Sequence, residues 1–198
     1  MIHSGGKEVA LRQETETQGD DGKLKELILY IAQKCSADPD FGAVVLNKVL
    51  FFSDFLTYAG TGRPITGVEY QKLPHGPAPR RLLPLQRELT ERGEAVLAPA
   101  DRMGFRQKRL VALRQPDLSA FTGTEIAVVD GVIDQLRGSS ATRVSQLSHV
   151  WSKAWEVAEV GETIPYETVF VAPSSQQVIT PEIELEAKEL AEHYPSRG

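Results

Sequence analysis

The sequence predicts an α+β domain, mainly helical, with helices packed around one central aromatic helix beside a small antiparallel β-hairpin or sheet. Three stretches carry that expectation. "AVVLNKVLFFSDFLTYAG" (43–60) is apolar around most of a helical circumference, as a helix enclosed by other elements must be. "EAVLAPADRMGFRQKRLVALRQ" (94–115) reads as two strands joined by a turn. Between them "RPITGVEYQKLPHGPAP" (63–79) sets Pro64, Pro74, Pro77 and Pro79 among glycines. Proline fixes φ and glycine opens φ > 0, so this segment follows one stiff, sharply turning path.

The elements follow in chain order. Residues 1–22 are polar and without aromatic side chains, which predicts a disordered tail. "KLKELILYIAQKC" (23–35) places Leu24, Leu27, Ile28, Ile31 and Cys35 on one helical stripe, and "SADPDFG" breaks it. The central helix comes next. Within the Pro/Gly segment "GVEYQKL" is a candidate short strand. "APRRLLPLQRELTERG" (78–93) is a third helix, started or interrupted near Pro84 and stopped at Gly93. In the hairpin "ADRMG" is the expected turn. "FTGTEIAVVDGVIDQLRG" (121–138) is a helix with a Thr122/Glu125 capping box and a stop at Gly138. "SATRVSQLSHVWSKAWEVAE" supplies one or two short helices, and "GETIPYETVFV" is extended. "TPEIELEAKELAEHYP" (180–195) is a tail helix with Thr180 as N-cap and Pro181 in its first turn. Its thin apolar stripe, Ile183, Ala187, Leu190 and Ala191, needs something to dock on. The expected organisation is a tail (1–22), one domain (23–173) and an acidic tail helix (174–198).

Composition narrows the function classes. With 198 residues, 41% of them hydrophobic, and a mean hydropathy of −0.25, the chain has material for one core. No apolar run approaches the roughly 18 residues of a membrane span, and the N-terminus has no apolar signal region. Cys35 is the single cysteine, which excludes an intramolecular disulfide and a multi-cysteine zinc site. A cytoplasmic protein without a membrane association is the expectation. The net charge of −5 sits in the flanks: residues 1–22 and 174–198 each carry −3, leaving +1 between them.

Catalytic and cofactor chemistry find no assembled set. His3, His75, His149 and His193 fall in no metal-ligand spacing, so neither a metal nor another cofactor is expected. Ser148 and His149 are adjacent, and neighbours on a helix point about 100° apart, a poor nucleophile–base pair. No phosphate-binding glycine fingerprint is present. Cys35 on the apolar stripe reads as a buried, inert thiol. On the central helix, however, Asn47, Phe51, Asp54 and Tyr58 share a sector of about 40°. Polar groups on an apolar helix require partners. Asp54 and Tyr58 either pin the following loop, which offers Arg63, Glu69, Tyr70 and His75, or join it in a recognition surface. The hairpin raises a separate alternative. Between Ala95 and Arg114 it carries Arg102, Arg106, Lys108, Arg109 and Arg114 against Asp101 alone. Helices followed by a basic hairpin also describe a winged helix, whose wing contacts phosphates. The third helix, with its proline and acids, is a poor recognition helix.

Three strings in order, "LNKVLFFSDFLTYAGTGRPITGVEYQKLPHGPAP", "LSHVWSKAW" and "GETIPYE", resemble the Panacea domain, the SocA-like antitoxin family. The matching positions are Asn47–Lys48, Phe51–Phe52, Asp54 and Tyr58 on the helix. In the loop they are Gly62, Arg63, Ile65, Thr66, Gly67 and Tyr70, with Gly76, Pro77 and Pro79 closing it. Leu147–His149, Trp155 and Ile164 to Glu167 complete the pattern. The resemblance spans about residues 24–172. Family members often have tyrosine before the closing G-P-x-P where this chain has His75, so no general-base role is carried over.

The resemblance implies an antitoxin of a bacterial or phage toxin–antitoxin system that binds and neutralises a toxin encoded by a neighbouring gene. Delivery of that toxin to a Clp-type protease is a second implied mechanism. The candidate partner contacts are Lys48, Asp54, Tyr58, Arg63, Tyr70, His75 and Arg80. In the alternative, a winged-helix-like regulator, Arg102, Arg106, Lys108 and Arg109 contact nucleic acid. An enzyme is the third class, and no catalytic residue is assigned.

Overall fold

A computed structural model of the chain describes residues 19–102, 105–139 and 156–170. Among the described residues four α-helices and five strands form an α+β fold that is mainly helical. The expected disordered tail up to residue 18, the helices of 140–155 and the acidic tail helix lie outside the described residues.

Helix α1 (Asp21–Lys34) begins two residues earlier than the apolar stripe implied. The reason is local: the Asp20 carboxylate accepts the Lys23 N–H as an N-cap, and Asp21 suits the positive end of the helix dipole. The residues just before the helix are also held, since the Asp20 N–H donates to the Thr66 carbonyl at 2.9 Å. The α1 stripe is buried as expected, but Leu29, Tyr30 and Ala32 are buried too. Helix α1 packs against α2, α3 and β4, so more than one face is covered.

Helix α2 (Ala43–Thr61) is the axis of the fold. Val49, Leu50, Phe51 and Phe55 are enclosed by α1 and by Val129, Val132 and Ile133 of α4 (Gly123–Leu136). Each such side chain contributes about 1.5–3 kcal/mol by leaving water. By length and composition α2 could cross a membrane, contrary to the expectation that no run is long enough. Its side chains are instead mostly buried inside the fold, as those of a core helix are. It ends at Gly62, whose φ of 74° is left-handed and whose N–H closes on the Tyr58 carbonyl.

The Pro/Gly segment is a hairpin rather than a loop with one strand. Strand β1 (Tyr70–Leu73) pairs antiparallel with β2 (Gly76–Pro79) in the register Tyr70↔Pro79 and Leu73↔Gly76. Proline is uncommon inside sheets, yet Pro77 and Pro79 fit β2 because they occupy its non-hydrogen-bonded positions. The Arg80 N–H bonds the Glu69 carbonyl, so every second residue from there, Ala78 and Gly76, faces β1. Strand β5 (Thr163–Ile164) adds to the other edge of β1, giving the order β2-β1-β5. The predicted extended run "GETIPYETVFV" is therefore strand only at Thr163–Ile164. Pro165 ends it, and a 3-10 helix, Tyr166–Phe170, follows with the Thr168 hydroxyl on the Pro165 carbonyl.

Helix α3 (Leu82–Glu91) accommodates Pro84 in its first turn, where no intrahelical donor is needed. Gly93, at φ 69°, follows its C-cap. Strands β3 (Ala95–Arg102) and β4 (Phe105–Ala112) form a separate two-stranded ribbon. Pairing persists to Arg102↔Phe105, so Ala100–Arg102 belong to the ladder and not to the predicted turn. Helix α4 opens on the expected capping box: Thr122 accepts the Glu125 N–H, and Glu125 accepts the Thr122 N–H at 2.7 Å.

Candidate functional site

A carboxylate in the middle of an apolar helix must find donors or lose its charge. Asp54, fully buried on α2, finds them in the segment that follows. Its Oδ1 accepts the Thr66 N–H at 2.8 Å; its Oδ2 accepts the Thr66 hydroxyl at 2.5 Å and the Tyr70 hydroxyl at 2.8 Å. Tyr166, from the 3-10 helix, brings its hydroxyl to 3.5 Å from Oδ2 while donating to the Val68 carbonyl at 2.8 Å. Burial pushes the Asp54 carboxyl above its usual range, and the Thr66 and Tyr70 hydrogen bonds pull against that shift. Burial, reinforced by the nearby carboxylate, also raises Tyr70 and Tyr166, which therefore act as neutral donors.

Aromatic rings surround this node. Tyr70 meets Phe51 and Phe55 edge-on, with centroids 5.8 and 5.4 Å apart. Tyr166 stacks on Phe55 at 4.7 Å and on Tyr58 at 5.5 Å. Asp54 thus ties together α2, the "ITG" turn, β1 and the 3-10 helix. Gly67 and Gly76 give the hairpin its bends at φ 67° and 101°. Valine at either position should cost roughly 1–2 kcal/mol, because a Cβ meets the following carbonyl in that region. Thermal melting checks this: G67V and G76V should both melt below the wild type, and unchanged midpoints would contradict the rigid-hairpin account.

The predicted contact residues divide by burial. Lys48, Asp54 and Tyr70 are enclosed. The Lys48 Nζ reaches the Pro77 carbonyl at 3.4 Å, and desolvation lowers its pKa to about 7. Arg80 is half-buried and spans the sheet, donating to Gln71, the Gly161 carbonyl and the Thr163 hydroxyl. Tyr58 does not pin the hairpin. It is half-exposed, donates to Glu167 at 3.0 Å, and lies against the rings of Tyr166 and Phe170. Arg63 and His75 are exposed, His75 in the turn between β1 and β2. Asp54 and the hairpin thus come together, whereas Tyr58 turns to the 3-10 helix.

Of the nucleic-acid set, Lys108 is exposed, while Arg109 donates to the Cys35 and Ser36 carbonyls at 3.1 and 2.7 Å. Arg102 pairs with Phe105 and Arg106 with Asp101 at the far end of the ribbon. Arg114 is held between Glu26 and Glu94. Burial pushes the Cys35 thiol up to about 11. Among the described residues no group of His, Cys, Asp or Glu side chains could hold a metal ion. Ser148, His149 and Trp155 lie outside the described residues, as do His3 and His193.

Sequence reasoning missed Thr66 as the main partner of Asp54. The signal was its place in "ITG", where a left-handed glycine turns the Thr66 N–H and hydroxyl back onto the helix. It also missed Tyr166 as the fourth member of the cluster, although "IPYE" had been singled out as a string. Two separated strings, the first and the third, thus meet at one buried carboxylate.

Comparison with protein families places the first two strings in a known domain: the model described as antitoxin SocA-like, Panacea domain, matches residues 46–156 and ends before the third. No curated protein and no solved structure matches the chain. The matched segment covers more than half of the sequence and contains most of α2, the Asp54–Thr66–Tyr70 cluster, the β1–β2 hairpin and α4; the chain belongs to the SocA-like antitoxin family.

Proposed function

We propose that the chain is the antitoxin of a bacterial or phage toxin–antitoxin pair, binding a toxin encoded by a neighbouring gene and neutralising it by direct contact in the cytoplasm. The observation that carries this reading is the Panacea-domain match over residues 46–156. The geometry supports a non-catalytic role: the clustered polar groups Asp54, Tyr70 and Tyr166 are used up in fastening a hairpin to a helix. Of the seven candidate contacts, Tyr58, Arg63 and His75 present surface for a partner. Lys48, Asp54 and Tyr70 act through the scaffold.

The test is to express the neighbouring gene alone and together with this chain, and to purify on the chain. Growth arrest by the neighbour, rescue by the chain and a stable complex are expected. Rescue with falling toxin levels and no complex would replace occlusion with protease delivery. A neighbour that is harmless alone would remove the reading.

A further inference from the structure

The stretch 156–170 enters the described structure as the strip that runs along β1 to the aromatic end of α2. Its backbone is well anchored. The Lys72 ammonium donates to the Ala158 carbonyl at 2.9 Å, Gly161 and Glu162 exchange backbone bonds with Lys72, and β5 pairs with β1. Its outward side chains are unusual for a surface. Val157 is 83% exposed, Val160 68% and Phe170 63%, and Phe170 leans on Tyr58. Interleaved with them are Glu156, Glu159, Glu162 and Glu167, all exposed, and the stretch contains no lysine or arginine. The adjoining cations Lys72 and Arg80 are turned inward onto carbonyls of the same strip.

Apolar side chains held out on an anchored backbone and ringed by carboxylates match the anatomy of a protein interface, an apolar centre with a charged rim. Charge decides the partner's chemistry. The carboxylates of Glu159, Glu162 and Glu167 attract a cationic surface and repel an acidic one, so a second copy of this strip and the acidic 174–198 segment are both disfavoured. We infer that residues 156–170, with Tyr58, form the surface that receives the toxin, and that the toxin meets it with a basic patch around an apolar pocket.

This rests on the antitoxin reading, and the experiment separates the two. The probe is the purified product of the neighbouring gene, titrated against the full chain at low and high salt. The variants are V157S/V160S, F170S and E159K, whose side chains are exposed, so melting midpoints should match the wild type. Expected are a loss of affinity of about tenfold or more for V157S/V160S and for F170S. E159K should lose several-fold, with most of its deficit vanishing at high salt. Hydrogen exchange should show amides of 156–170 slowed further in the complex than in the free chain. Wild type that fails to bind the neighbour removes the antitoxin reading and this inference with it. Wild-type binding with undiminished affinity in all variants leaves the antitoxin reading standing and overturns the strip as its surface. Protection over 156–170 that grows with the concentration of the free chain identifies a second copy as occupant, and a lowered melting midpoint of V157S/V160S or F170S identifies the chain's own segments; either overturns it.

Discussion

Replacing Asp54 with alanine lowers the stability of the domain by about 3–5 kcal/mol. The substitution removes the acceptor of three hydrogen bonds and leaves the Thr66 N–H, the Thr66 hydroxyl and the Tyr70 hydroxyl without their partner inside the protein. Domains of this size hold roughly 5–15 kcal/mol in all, so D54A should forfeit a large share of the total. Asparagine separates hydrogen bonding from charge. Its amide oxygen still accepts the Thr66 N–H, and the hydroxyls of Thr66 and Tyr70 can rotate to accept from its NH₂ group. D54N should therefore lose only about 1–2 kcal/mol. Urea unfolding of the three proteins checks this, and a D54A midpoint equal to that of D54N would show that the cluster does not hold the hairpin.

The second large effect has the opposite sign. Lys48 is enclosed, its ammonium has one long contact with the Pro77 carbonyl, and burial lowers its pKa to about 7 from an ordinary 10.5. Between those two values the unfolded chain binds a proton that the folded protein has released. Stability therefore rises as pH rises from about 7 toward 10.5, with a limiting slope of about 1.4 kcal/mol per pH unit. Below about 7 both states are protonated and the full cost of burying the charge is present. Methionine keeps the length of the side chain and removes the titration. K48M should be more stable than wild type at pH 7, on the order of a few kcal/mol, and the advantage should shrink toward pH 10. Urea midpoints at pH 6.5, 8 and 9.5 give the result directly, and a K48M difference that does not change with pH would mean that Lys48 stays charged in the fold.

The fold was legible where its causes are local. Thr122 and Glu125 lie three residues apart, and their reciprocal bonds need nothing beyond the first turn of α4. The same holds for Gly93 and Gly138, each left-handed after a helix. The α2 wheel singled out the right acid for the same reason, because Asp54 is polar on an apolar cylinder. What it could not give was the partner. Thr66 lies twelve residues on and reaches Asp54 only because the turn at Gly67 folds back, and Tyr166 arrives from more than a hundred residues away. Tyr58 shares the sector of Asp54, but it lies a turn further along, beyond the hairpin and level with the 3-10 helix. Strand β2 was hidden by its own composition, since proline normally argues against a strand and here occupies the positions that need no donor. The exposure of Val157, Val160 and Phe170 was not legible, because an apolar residue in sequence looks the same whether it faces in or out.

The edge formed by β2 has a consequence for how the protein behaves when its concentration is high. An outer strand ordinarily offers alternating donors and acceptors, a template on which another chain can add and aggregate. On β2 the two outward positions are Pro77 and Pro79, which have no N–H to give, and one of their carbonyls already lies toward Lys48. The edge can accept but never donate, and α2 packs against it with all four β2 residues buried, so an added strand would find neither donors nor room. Two prolines that, read along the sequence, look only like interruptions thus help to close the sheet on that side.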